Sequence, residues 1–201
     1  MARPQLHPEE MEEFKERLCE VATRLLVQEG EDGLSMRRLS REVGCSHTKA
    51  YRYFASKEEL LIAIRARAFL RYGAFLKQRL LEEETPLSRV KNLGMAYADY
   101  ARLHEEEFRL MFSFQQSDSM SHESLREAVY GGWGIFLGAV KDAVASGVLL
   151  GEPEEIANVL WAGVHGVVTL GMSGKLVLGL ERDVLVESML NSLLRGYGAP
   201  G

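Results

Sequence analysis

Apolar residues recur at helical spacing along nearly the whole chain, and no stretch shows the apolar–polar alternation of a half-buried strand. The first run covers residues 9–29. Phe14, Leu18, Val21, Ala22, Leu25 and Leu26 share one face, glutamates crowd the first half, where the helix dipole is positive, and Gly30 closes it. Residues 1–8, with two prolines and little apolar content, read as a flexible arm. Ser35 can cap a helix carrying Met36, Leu39 and Val43, and Gly44 sits where a left-handed residue ends one. Ser46 then opens a second helix, His47 to Phe54. The gap of about three residues is that of a helix-turn-helix. Ser56 restarts the pattern, with Glu59 three residues on as in a capping box. This third helix meets no proline before Pro86, and Gly73 is its one weak point. The first helix should pack on Leu39, Val43, Ala50, Phe54 and Leu60, making a small three-helix core with Phe54 inside it.

From residue 86 to 198 the pattern stays helical. Pro86 with Ser88 marks a start, followed by Val90, Leu93, Tyr97, Tyr100 and Leu103, with a break at His104-Glu105. Phe108 to Phe114 is short and very apolar, and Ser117 to Ser121 reads as a polar loop. Leu125, Val129, Phe136, Val140 and Val144 lie on a long helix ending near Gly147. Pro153 suits the first turn of the next helix, expected from Glu154 to about Leu178. That helix is apolar almost all round, so it must be buried on several sides. Asp183 is placed to cap a last helix with Val186, Met189, Leu190 and Leu193.

The expected fold class is therefore all-α: an N-terminal three-helix helix-turn-helix domain over residues 9–65, then a larger helical domain over 66–201. Composition agrees. The chain has 201 residues, 46% apolar and 26% charged, ordinary values for a globular protein with a real core. No run approaches the ~20 apolar residues of a membrane span. The N-terminus is acidic and polar, unlike a secretory signal. Two cysteines make no disulfide framework, so a cytoplasmic location is the default expectation.

Charge changes the picture at one place. Leu34 to Lys57 holds six cations (Arg37, Arg38, Arg41, Lys49, Arg52, Lys57) and one acid, Glu42, a net of +5 within a chain of net −5. A basic patch on an acidic protein points to a polyanion, where a solvated face is the ordinary reading of a charge run. Here the patch coincides with the helix-turn-helix and with tyrosines and hydroxyls suited to phosphate contacts.

Residues 12–65 resemble the DNA-binding domain of the tetracycline-repressor-type (TetR) regulators. The matching pieces are Gln28-Glu29-Gly30, Leu34-Ser35-Met36-Arg37-Arg38-Leu39, Val43-Gly44-Cys45-Ser46, Tyr51-Arg52-Tyr53-Phe54 and Ser56-Lys57-Glu58-Glu59-Leu60. Cys45 stands where the family usually has an aliphatic residue, and His47 where it often has Lys or Arg. Trp161-Ala162-Gly163-Val164-His165-Gly166 resembles a Trp-x-x-x-His-Gly motif of one subgroup of the family's C-terminal domains. The resemblance implies a homodimer that binds a palindromic DNA operator, and a small-molecule effector in the C-terminal domain that releases a repressor. Activation stays open. Carried onto this chain, Ser35, Arg37, Tyr51, Tyr53 and Lys57 would hold phosphates, with a packing role as the other reading of Tyr53. Ser46, His47, Thr48 and Lys49 would meet base edges, Lys49 favouring guanine acceptors. In the family the last two helices pair with their two-fold mates, and Ala162, Gly163, Gly166, Gly171 and Gly174 would permit that approach.

Tyr97, Phe108, Phe112, Trp133 and Trp161 could line an apolar effector pocket, which would suit a hydrophobic or acyl compound. Each is also an ordinary core residue. His165 has two main readings, a hydrogen-bonded core imidazole or a group that senses the effector; no second His, Cys or carboxylate at ligand spacing supports a metal. No cofactor is implied. Gly131-Gly132-Trp133-Gly134 lacks the third glycine and preceding strand of a dinucleotide loop, and Gly174-Lys175 lacks the first glycine and hydroxyl of a phosphate loop. Ser173 lacks a nucleophile-elbow frame. An enzyme is not expected. The alternative class is a helical ligand-binding or protein-interaction module without specific DNA binding. Cys19 and Cys45 could sense oxidants near the reading turn, against the plainer reading of two reduced thiols.

Overall fold

The caps written into the sequence set the N-terminal helices. In the computed structural model, which describes residues 8–80, 85–112, 122–177 and 179–198, helix α1 spans Pro8–Gly33. Its regular part ends at Gly30, as expected. That residue takes φ 71° and ψ −170°, kinking the helix, which then resumes for one short turn. α2 (Met36–Val43) starts at Ser35, whose hydroxyl accepts the Arg38 N–H at 3.2 Å. It ends at Gly44, which is left-handed at φ 74°, where a Cβ would be strained. α3 is His47–Tyr51, shorter than the expected run to Phe54. Its end tightens, Arg52 and Tyr53 bonding three residues back, and this turn delivers Phe54 to the interior at 1% exposure.

α4 (Lys57–Leu80) passes Gly73 without a break. The Glu59 N–H bonds to the Ser56 hydroxyl at 3.1 Å, while the Glu59 carboxylate reaches the Ala55 N–H rather than that of Ser56. α5 (Pro86–Leu103) opens with Thr85 and Ser88 capping each other, and His104 closes it. α6 is Glu105–Phe112, α7 Glu123–Ala145, α8 Pro153–Met172 and α9 Arg182–Tyr197. The arm at residues 1–7, Phe114 and the loop at 117–121 lie outside the described residues. Among those described, no helix is long and apolar enough to cross a membrane.

Two further expected boundaries move. α8 stops at Met172, short of Leu178, because Gly174 turns left-handed at φ 67° and Lys175 bonds back to Leu170. α9 starts from Glu181, two residues before Asp183, which lies inside its first turn and pairs with Arg182 at 2.9 Å.

The buried residues form two cores. Leu18, Leu39, Ala50, Phe54 and Leu60 close the three-helix head as expected, and Leu110 of α6 inserts from the body. Each fully buried Leu or Phe contributes about 1.5–3 kcal/mol. The larger core joins α4, α5, α7, α8 and α9. α4 serves both: Leu60 and Ile64 face the head, Ile62 and Ala66 the body. Glycines let α9 lie close. A Cβ at Gly94 would meet Leu190 at 2.9 Å, and one at Gly163 would meet the Met189 sulfur at 2.6 Å. Gly163 is thus spent on packing within the chain, and Gly174 on ending α8. Among the described residues, Gly166 has no neighbour in its own chain within 4 Å of such a Cβ.

Candidate nucleic-acid interface and ligand cavity

α3 is too short to bury much. Ala50 is its one buried residue, pinned against the head core, and this leaves His47, Thr48 and Tyr51 exposed. The His47 and Tyr51 rings meet edge-to-face at 4.7 Å, one turn apart. The Ser46 hydroxyl is occupied as the cap of α3, accepting the Lys49 N–H at 3.2 Å. Lys49 is folded back: its ammonium lies 3.8 Å from the centre of the Phe14 ring on α1. Tyr53 is half-buried against the same ring, 5.0 Å between centroids. Ser35 and Arg37 are exposed at the start of α2. Lys57, at the start of α4, donates to the Glu31 carbonyl at the end of α1.

The head thus brings Ser46, His47, Thr48 and Tyr51 together on α3, with Ser35 and Arg37 at one neighbouring helix start and Lys57 at another. Phe14 organises this surface, holding Lys49 and Tyr53. The sequence reading placed it only in the core face of α1. Of the six basic residues, Arg38 is taken up internally. It pairs with Glu29 and bonds to the Gly33 carbonyl at 3.3 Å. The Arg38 guanidinium accordingly holds the Glu29 carboxyl below its usual range.

The second site is a cavity of about 220 Å³ walled by α4, α5, α7 and α8 and by the end of α6. Tyr97, Phe112, Trp133 and Trp161 line it. Phe108 and His165 do not; they stand behind the wall. Phe108 is buried, 5.3 Å from the Tyr97 ring and 4.9 Å from Phe112. His165 has Nδ1 2.6 Å from the Tyr97 hydroxyl and its ring stacked on Trp161 at 5.4 Å. Burial pushes the imidazole pKa down and the Tyr97 hydroxyl pKa well up. A neutral imidazole whose Nδ1 accepts from Tyr97 carries its own proton on Nε2.

Sequence reasoning missed Phe69 and Tyr72, which bring α4 into the cavity wall, and Val129, Gly132 and Phe136 around Trp133. Phe69 and Tyr72 lie three residues apart, on one face of a helix to which the sequence reading assigned no ligand-contacting residue. Tyr72 keeps some accessible surface although it sits deep between helices, where burial raises its hydroxyl pKa.

A short polar helix held out by a small core, joined by one helix to a pocketed helical body, defines a class: sensor domains coupled to a helix-turn-helix. Residues 18–64 match the family described as bacterial regulatory proteins, tetR family, and residues 90–193 match the tetracyclin repressor-like C-terminal domain. The chain belongs to the TetR family of DNA-binding transcription regulators. Among solved structures it is similar to a protein of unknown function from Rhodococcus sp. RHA1. The two are 30% identical with a TM-score of 0.84, over 98% of this chain and 100% of that one. It shares the fold of a TetR family transcription regulator from Marinobacter aquaeolei VT8 (16% identity, TM-score 0.75, 96% and 100% covered). It also shares that of the ketosteroid transcriptional regulator KstR2 of Mycobacterium tuberculosis (16%, 0.66, 98% and 98%). Among curated proteins none matches.

Proposed function

We propose that the chain is a cytoplasmic, homodimeric repressor that binds a palindromic operator through residues 9–65 and leaves it when a small molecule enters the cavity in residues 66–201. The observation that carries this reading is the double duty of α4. Phe69 and Tyr72 line the cavity, while Leu60 and Ile64, two turns earlier, belong to the core of the head. A ligand that favours a different seating of α4 favours a different placement of α3. It shifts the equilibrium only by its difference in affinity for the two arrangements.

At the operator, His47, Thr48 and Ser46 meet base edges, and Ser35, Arg37, Tyr51 and Lys57 meet phosphates. The exposure of all of these but Lys57, which is half-buried, supports both roles. Lys49 reaches a guanine by swinging off Phe14. That gives up a cation–π contact of about 0.5–1 kcal/mol, less than the about 1–3 kcal/mol of discrimination from a good base contact. Tyr53 offers a phosphate only the tip of a side chain otherwise packed on Phe14.

Dimerisation is supported by a stripe on α8. Ala162, Thr169 and Leu170 are exposed around the open Gly166, next to exposed Val184 and Ser188 of α9. Two heads on a two-fold axis suit half-sites about one turn apart. Binding-site selection from random duplexes tests the reading. Enrichment of a palindrome supports it. Absence of any preferred duplex in moderate salt overturns it and leaves a helical ligand-binding module.

A further inference from the structure

The cavity fixes the chemistry of its occupant more narrowly than apolar character alone. An apolar cavity of ~150 Å³ takes up a benzene ring, six non-hydrogen atoms. By proportion, about 220 Å³ holds roughly nine or ten. That size is a fused bicyclic compound, and a long acyl chain would have to extend out through the cavity's open side. Half the lining residues are aromatic, among them Trp133, Trp161, Phe136 and Phe69, whose faces and edges suit another flat ring at about 4.5–7 Å. Among the described residues no Asp, Glu, Lys or Arg lines the space. A charged group there would lose its hydration with no counter-charge.

The polar groups on the walls differ in availability. The Tyr97 hydroxyl is committed to His165 at 2.6 Å, and the Asn158 amide donates to the Glu154 carbonyl at 2.8 Å. The Tyr72 hydroxyl has no hydrogen-bond partner among the described residues, although its ring is held edge-on by Tyr97 and Tyr100 at 5.8 and 5.2 Å. Tyr72 is only half-buried, so water can reach this hydroxyl; a ligand that displaces that water and keeps its hydrogen bond binds better than one that cannot. Resting on the reading of this cavity as the effector site, we infer that the occupant is an uncharged, flat, bicyclic-sized aromatic molecule with one hydrogen-bonding group that meets the Tyr72 hydroxyl.

Trp133 and Trp161 are the chain's two tryptophans, and both line the cavity, so intrinsic fluorescence reads its occupancy directly. The full chain is titrated with 5-indanol, indane, phenylacetate and 2-aminoindane, which is cationic at neutral pH. The two neutral compounds change the tryptophan emission saturably, and the two ions bind at least about tenfold more weakly. Tyr72→Phe weakens 5-indanol about fivefold, the value of one hydrogen bond, and leaves indane within about twofold, which also shows the variant folded. Ions binding as tightly as the neutral probes, no saturation with either neutral probe, or equal losses of indane and 5-indanol in Tyr72→Phe would each overturn the inference. Duplex selection on the same preparation separates the two levels. A palindrome enriched while the neutral probes stay silent removes this inference alone. Neutral probes bound with no duplex enriched removes the regulator reading and leaves the chemistry of the cavity.

Discussion

The Tyr100 hydroxyl donates to the Glu107 carboxylate at 2.6 Å, and this bond joins the aromatic wall of the cavity to the ionic face of the head. On one side Tyr100 packs against Tyr72 at 5.2 Å between centroids. On the other, Glu107 also receives Arg71 of α4, and Arg71 and Arg67 both face Glu16 of α1. Burial, then the bond to Glu107, pushes the Tyr100 hydroxyl pKa far up, so it remains a donor at any physiological pH. Contiguity alone does not establish coupling; the chain must also have two arrangements that ligand and DNA bias differently.

Glu107→Gln tests that. The amide oxygen still accepts from Tyr100, but Arg71 loses its nearer counter-charge and keeps only the more distant Glu16. The expected result is a drop, by about 2–30-fold, in the factor by which a cavity ligand lowers DNA affinity. DNA affinity of the ligand-free protein should change less than that factor does. An unchanged factor, measured by DNA titration with and without ligand, removes this route as the coupling path.

Lys57 has two readings with different signatures. If it holds a phosphate, Lys57→Ala weakens all duplexes alike, and the slope of log affinity against log salt falls by about 0.9 per lost contact, near two for a dimer. If its work is only to tie the end of α1 through the Glu31 carbonyl, the variant melts earlier with an unchanged salt slope. We expect the flattened slope, read from titrations at several salt concentrations.

Local chemistry was legible in the sequence, and shared space was not. Ser35, Gly44 and Ser46 announce themselves because a cap needs only a few neighbouring residues, and each took its expected geometry. The end of α8 was misplaced because Leu176, Val177 and Leu178 continue the apolar pattern, whereas the backbone obeys Gly174. The fold class followed from periodicity. Which aromatics line a cavity did not, because a periodic pattern says only which face of a helix is inside. Phe108 and Phe112 sit one turn apart on α6, yet one is packed behind the wall and the other forms it. Phe69 and Tyr72 were invisible as cavity residues for the same reason. Lys49 illustrates the converse case: a cation at a family position is drawn onto an aromatic ring more than thirty residues away in sequence and half-buried there.

Cys19 should resist oxidants. Burial is the largest influence on its thiol and raises the pKa to about 11, and only the thiolate is nucleophilic. A raised pKa means that the thiolate fraction grows about tenfold per pH unit from neutrality up to about 11, so labelling of Cys19 by iodoacetamide accelerates by that factor over the whole range. Near pH 7 the folded protein should lose one thiol per chain quickly, Cys45, which is half-buried in the reading turn. Both should react in denaturant. Because the unfolded thiol ionises first, its ionisation also lowers folding stability as pH rises from about 9 to about 11, by about 1.4 kcal/mol per unit. Equal labelling rates for the two thiols in mass spectra of the folded protein would contradict this assignment.

Leu170 is the residue on which the dimer proposal is most exposed to test. It is 44% exposed on α8, one turn beyond the open Gly166 and directly after the exposed Thr169. An apolar side chain at a two-fold interface meets its own copy or a near neighbour, so a single charge placed there is repeated across the axis. Leu170→Glu should therefore leave helicity and melting of the protomer nearly unchanged, since the residue fills no core. The protein should sediment as a monomer at micromolar concentration. Operator affinity should fall by about 10²–10⁴-fold, because the second head no longer binds as part of the same molecule. The residual affinity should match that for an isolated half-site. If Leu170→Glu remains dimeric, this face of α8 is not the interface, and the exposed apolar residues beyond its end, Val177 and Leu180, become the surface to examine. If it becomes monomeric yet retains full operator affinity, dimerisation is real but plays no part in reading DNA, and the paired-head geometry has to be abandoned.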